Sequence, residues 1–106
     1  MKVVIHPHLG VFDFGSCKTH EHVKKWCKEH KNNYTRLRNA GDSIKERSNP
    51  ALVQCVEYLI RNKIETPLVV LEIPDDAKNP YIIDYDGYEI VHEGRMWEWD
   101  DEEYER

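Results

Sequence analysis

The stretch 81-YIIDYDGYEIVHE-93 alternates on both sides of Asp86-Gly87, and its reading decides the fold. Alternating runs joined by Asp-Gly are a strong hairpin signal, because both central residues of a type I′ turn need positive φ. Such a turn predicts Tyr85 opposite Tyr88, Asp84 opposite Glu89, Ile83 opposite Ile90, Ile82 opposite Val91 and Tyr81 opposite His92. One face then carries Tyr81, Ile83, Tyr85, Tyr88, Ile90 and His92, and Tyr81, Tyr85 and Ile90 are expected to pack on the core. The other face carries Ile82, Val91 and the opposed carboxylates Asp84 and Glu89, a mildly unfavourable pair. Water or a basic side chain screens them; a bridging cation or shared proton is the alternative. The D-x-D-G spacing also resembles the start of a calcium loop. However, the twelfth position from Asp84 is Arg95 and strands flank the glycine, which excludes an EF-hand.

Working outward, 68-LVVLEI-73 lies between Pro67 and Pro74 and reads as a central strand covered on both faces. Before it, Asn49 caps and Pro50 opens a helix whose apolar face is Leu52, Val53, Val56, Leu59 and Ile60, running to Arg61 or Asn62. Cys55 belongs to its buried side. A second helix, from about Thr19 to Lys31 and capped by Ser16 or Thr19, carries Val23, Trp26, Cys27 and His30 at three- and four-residue steps. The first strand is 2-KVVI-5, stopped at His6-Pro7, and 9-LGVFDFGS-16 is a loop or irregular strand. Between the helices, 32-NNYTRLRNAGDSIKERS-48 has no sustained period and reads as a long connector with one turn near Ser43-Arg47. The expected architecture is α+β, two helices packed on a small mainly antiparallel sheet in the order β-α-α-β-β-β. Residues 1-97 form one domain and 98-106 an acidic tail.

A chain of 106 residues with 40% hydrophobic and 33% charged side chains is expected to fold as one domain. The N-terminus has neither a signal-peptide core nor a membrane span, so the expected setting is cytoplasmic. Cys17, Cys27 and Cys55 are odd in number and lack C-x-x-C spacing, which argues for free thiols. The net charge of -5 is concentrated in 98-EWDDEEYER-106, with six acidic residues and one arginine.

Three constellations carry candidate chemistry. Asp84 and Glu89, with Trp97, Trp99, Asp100, Asp101 and Tyr104, form a candidate acidic aromatic surface for a protein partner. Within the basic region 18-47, Lys24, Lys25, Lys28, Lys31, Arg36, Arg38, Lys45 and Arg47, with Tyr34 to stack a base, form a candidate nucleic-acid surface. The acidic tail folding over that basic region is its intramolecular alternative. Cys17, His20, Cys27 and His30 have permissive zinc spacing, but in one continuous helix His20 and His30 would lie about 15 Å apart, too far for one ion. No local signature selects a cysteine nucleophile and its base, so a non-enzyme is favoured, and no cofactor motif is present.

The pieces 1-MKVVI-5 with 10-GVF-12, 47-RSNPALVQCVEYL-59, 70-VLEIPDD-76, 85-YDGYE-89 and 95-RMW-97 resemble, in order, a family of small phage and prophage proteins. The family's function is unknown. The segment 18-46 matches least, Asn49 stands where the family prefers Asp, His6-Pro7 alters the first loop, and 98-106 is atypical. The resemblance implies a small accessory protein of host takeover or anti-defence type, binding a host or defence protein stoichiometrically. It carries over no catalytic residue.

Overall fold

Side-chain caps open every helix of the described chain. Asn33 Oδ1 accepts from the Arg36 N–H at 3.0 Å, Ser43 Oγ from Glu46 N–H at 3.2 Å, and Asn49 Oδ1 from Ala51 N–H at 3.0 Å. Ser16 caps the first helix through Thr19 N–H, and each cap of this kind contributes about 1 kcal/mol. The computed structural model describes residues 1–92. Their elements are β1 (Lys2–Ile5), α1 (Cys17–Glu29), α2 (Tyr34–Arg38), α3 (Ile44–Arg47), α4 (Pro50–Arg61), β2 (Val69–Glu72), β3 (Tyr81–Tyr85) and β4 (Tyr88–His92).

The described chain therefore has four helices where the sequence predicts two, which overturns the β-α-α-β-β-β order. The stretch expected as a connector folds into α2 and α3, of five and four residues. A helix this short completes too little of a second turn to show an apolar period. Each buries one residue, Leu37 in α2 and, against expectation for a cation, Arg47 in α3.

The single sheet is also corrected. β1 pairs antiparallel with β2, and β3 pairs with β4, giving two two-stranded sheets. β2 has β1 as its one strand partner among the described residues and is half-buried, with Glu72 exposed, so it is not a central strand. The sheets meet where proline ends β1. The Pro7–Tyr88 bridge and the Glu89 N–H bond to His6 O at 2.9 Å carry the pairing over one step.

The core lies between β1, α1 and α4. Val4, Phe14, Val23, Trp26, Leu52, Val56, Leu59 and Leu68 are buried there, each large aliphatic or aromatic side chain contributing about 1.5–3 kcal/mol by leaving water. Cys27 and Cys55 are buried on the same helices, while Cys17 is exposed, and all three thiols are free. Burial pushes the Cys55 thiol up to about 12, with Cys27 adding to the rise. No described helix is long and apolar enough to cross a membrane.

The hairpin has the expected register at all five pairs, and Asp86 and Gly87 both adopt positive φ, 53° and 92°. Tyr81 and Ile83 on the expected inner face are half-buried, as are Ile82 and Val91 on the other, but toward the turn the burial departs from expectation. Tyr85 is 54% and Ile90 37% exposed, whereas Glu89, on the opposite face, is 3% exposed. Of the two opposed carboxylates Asp84 stays exposed and Glu89 alone is drawn inward, because a buried cation meets it.

Candidate interaction surfaces

That cation is Arg47, 2% exposed. Its Nη2 donates to Glu89 Oε2 at 2.7 Å and its Nη1 to Glu89 Oε1, a two-pronged pairing that matches guanidinium and carboxylate planes. The Nε donates to Gly41 O at 2.8 Å and Nη1 also reaches Val4 O at 3.4 Å. The guanidinium carbon sits 4.0 Å from the centre of the Phe12 ring. On the other side, Glu89 Oε1 accepts from His6 N–H at 2.8 Å. Such satisfaction is what a buried pair requires, since an unpaired buried charge costs several kcal/mol. The pair joins α3 to β4 at the point where β1 ends, and so fixes the hairpin to the body.

A second clamp holds the hairpin tip. Gly10 N–H donates to Asp86 O at 2.8 Å, and His6 Nδ1 lies 3.1 Å from Gly87 O. The approach leaves no room for a side chain: a Cβ on Gly87 would stand 1.5 Å from Gly10 O. Between the clamps the chain displays apolar groups to water. Leu9 is 75%, Val11 86% and Tyr88 42% exposed, joining Tyr85 and Ile90. Asp84 and Asp86 are exposed beside them, and Asp84 Oδ1 accepts from Gly87 N–H, closing the turn.

The predicted acidic aromatic surface is thus only partly realised among the described residues. Asp84 is at the surface, but Glu89 is not available to a partner, because both its oxygens are spent on Arg47 and His6. Asp84 and Glu89 are opposed as predicted, and the basic side chain that neutralises Glu89 is Arg47. Trp97, Trp99, Asp100, Asp101 and Tyr104 lie outside the described residues, as does the boundary expected at 97.

Most of the basic candidates are found together on α1 and α2. Lys24, Lys25, Lys28, Lys31, Arg36 and Arg38 are all exposed, and Lys24 Nζ lies 5.2 Å over the Tyr34 ring. The Tyr34 hydroxyl is 2.6 Å from His20 Nδ1, and His20 Nε2 meets Asp13 Oδ1. This carboxylate–imidazole–phenol line braces α2 against α1 and the loop before it. With its hydroxyl engaged and a cation over its ring, Tyr34 is a support for Lys24 more than a platform for a base.

The zinc candidates are not brought together. α1 is continuous from Cys17 to Glu29, Cys27 is buried in the core, His20 is engaged by Asp13 and Tyr34, and His30 Nδ1 is 2.9 Å from Trp26 O. Among the described residues no three His, Cys, Asp or Glu side chains are placed to hold an ion.

Sequence reasoning missed His6, Leu9 and Val11, and it misplaced Arg47, expected in the solvent-facing basic patch but buried against Glu89. For the burial of Arg47 one signal existed: 43-SIKER-47 has a serine cap and a short turn ending five residues before Leu52 opens an apolar helix face, where a long side chain is close to the core. Leu9 and Val11 alternate around Gly10, but only the clamp onto Gly87 shows why they face water. Compared with known protein families, curated proteins and solved structures, the chain matches none.

Proposed function

We propose that the protein is a small stoichiometric binder of another protein and that the hairpin tip is its contact surface. The observation that carries this reading is the group of exposed apolar side chains Leu9, Val11, Tyr85, Tyr88 and Ile90, held on a doubly clamped backbone. Exposed apolar groups in one region, rimmed by polar residues, mark interaction sites, and tyrosines are favoured anchors there. Preorganisation favours the same role, because a rigid tip loses little freedom on binding.

Charge selects the kind of partner. At the tip, the exposed carboxylates Asp84 and Asp86 flank Tyr85. The partner surface is accordingly apolar at its centre and basic at its rim. The resemblance to phage and prophage proteins supports a host or defence protein in that role, in a cytoplasmic setting that keeps the three thiols reduced.

The test is a purified complex. The captured partner is titrated calorimetrically with wild-type protein, with Tyr85→Ala/Tyr88→Ala, and with Asp84→Asn, which can keep the turn cap. The expected results are a 1:1 complex, a loss of at least about tenfold in affinity for the tyrosine pair, and a slower association for Asp84→Asn. Unchanged affinity in a folded double variant would remove the tip from the function.

A further inference from the structure

The α1–α2 face is built differently from the tip. Residues 24–38 contain six Lys/Arg and a single carboxylate, Glu29. On α1 Lys24 and Lys28 are one turn apart, in line with His20, so like charges stand where a helix gains from opposite ones. Lys25, on the adjoining face, is by contrast flanked at four residues by Glu21 and Glu29. Lys31 continues the stripe just past the helix end, at a φ of 56°.

Packing turns this stripe toward α2. The Lys24 ammonium over the Tyr34 ring sets that orientation, and Arg36 and Arg38 extend the positive area beyond it. None of the six cations forms a salt bridge with a described residue. The only cation of α2 or α3 in such a pair is the buried Arg47. The field of the outer six is therefore directed to solvent.

We infer that this face binds the phosphate backbone of nucleic acid, independently of sequence. Two observations favour nucleic acid over an acidic protein. The exposed large hydrophobic side chains of the described residues are Met1, Leu9, Val11, Ile60, Tyr85, Tyr88 and Ile90, none of them on α1 or α2. A protein interface needs an apolar, desolvated centre, which this face lacks, whereas phosphate binding draws its free energy from released counterions. Tyr34, the aromatic residue that braces the face, has its hydroxyl on His20 and its ring under Lys24, so it offers no open surface for stacking. Contacts restricted to phosphates position a protein without reading bases.

The experiment is fluorescence anisotropy of the full chain with two labelled DNA duplexes of unrelated sequence, between about 50 and 200 mM salt. The proposal expects equal affinity for both duplexes and a linear decline of log affinity with log salt. Lys24→Gln/Lys28→Gln/Lys31→Gln should weaken both equally and make the slope shallower by about 2.7, roughly 0.9 for each phosphate that is no longer neutralised. Lys63→Gln/Lys78→Gln, away from the face, should bind as wild type, and circular dichroism of each variant verifies the fold. The proposal is overturned by absence of binding at the lowest salt, by a triple variant that binds as wild type, or by discrimination between the duplexes. Equally tight, equally salt-sensitive binding of poly-glutamate would also overturn it.

Discussion

Removing the Glu89 charge should destabilise the whole fold rather than loosen a surface hairpin. In Glu89→Gln the guanidinium of Arg47, 2% exposed, keeps the Gly41 and Val4 carbonyls but loses its anion. Breaking a buried pair from one side costs about 3–5 kcal/mol. Arg47→Met strands the carboxylate instead, leaving it the His6 N–H, and falls in the same range. A domain of this size has about 5–15 kcal/mol in total, so either change removes a large share. At a urea slope of about 1.5 kcal/mol/M, a loss of about 4 kcal/mol moves the midpoint by about 2.7 M. Arg47→Met/Glu89→Leu removes both charges together and should recover most of the loss, though not all, because two carbonyls still lose their donor. The assay is urea unfolding of the four proteins followed by tryptophan fluorescence. Single variants that lose less than about 1 kcal/mol, or a double variant whose loss equals the sum of the singles, would refute the pairing as the lock.

Further outcomes follow from the same geometry. Gly87→Ala forces a Cβ into Gly10 O and an alanine into φ 92°, so it should destabilise the protein and weaken partner binding, whereas Gly10→Ala, with nothing within 4 Å of its Cβ, should cost less. Tyr34→Phe deletes the bond to His20 and should cost about 1–2 kcal/mol in urea unfolding without changing the core. At neutral pH a thiol reagent should label Cys17 quickly, and Cys27 and Cys55 only as the protein unfolds. Because the folded Cys55 thiol is raised from 9.0 to about 12, the folded state holds that proton more tightly; its contribution is complete below pH 9 and declines as pH rises toward 12. Thermal midpoints across that window check the sign, and a midpoint rising with alkalinity would contradict it.

Local rules were legible where a residue's neighbours in sequence decide its conformation. Asp86-Gly87 set the hairpin register, and Asn49-Pro50 set the start of α4, because turn and cap chemistry act over two or three residues. The hairpin's orientation was not legible. Counting apolar residues favours Tyr81, Ile83, Tyr85 and Ile90 for the interior, and the distant Arg47 explains why Glu89 is buried while Tyr85 and Ile90 are exposed. The short α2 and α3 were hidden for a different reason, since five and four residues cannot display a helical period. At the candidate surfaces, the cations of α1 and α2 could be found by composition. Leu9 and Val11 could not, because their exposure depends on Gly10 being held against Gly87, an approach between residues far apart in the chain.

The central claim, that the clamped hairpin tip is the protein-binding surface, is tested most directly by amide hydrogen exchange of the protein alone and in its purified 1:1 complex. Binding at the tip predicts added protection over residues 8–11 and 83–90, with α1 and α2 unchanged. Protection gained on α1 and α2 or on α4, with the tip exchanging as in the free protein, would contradict it.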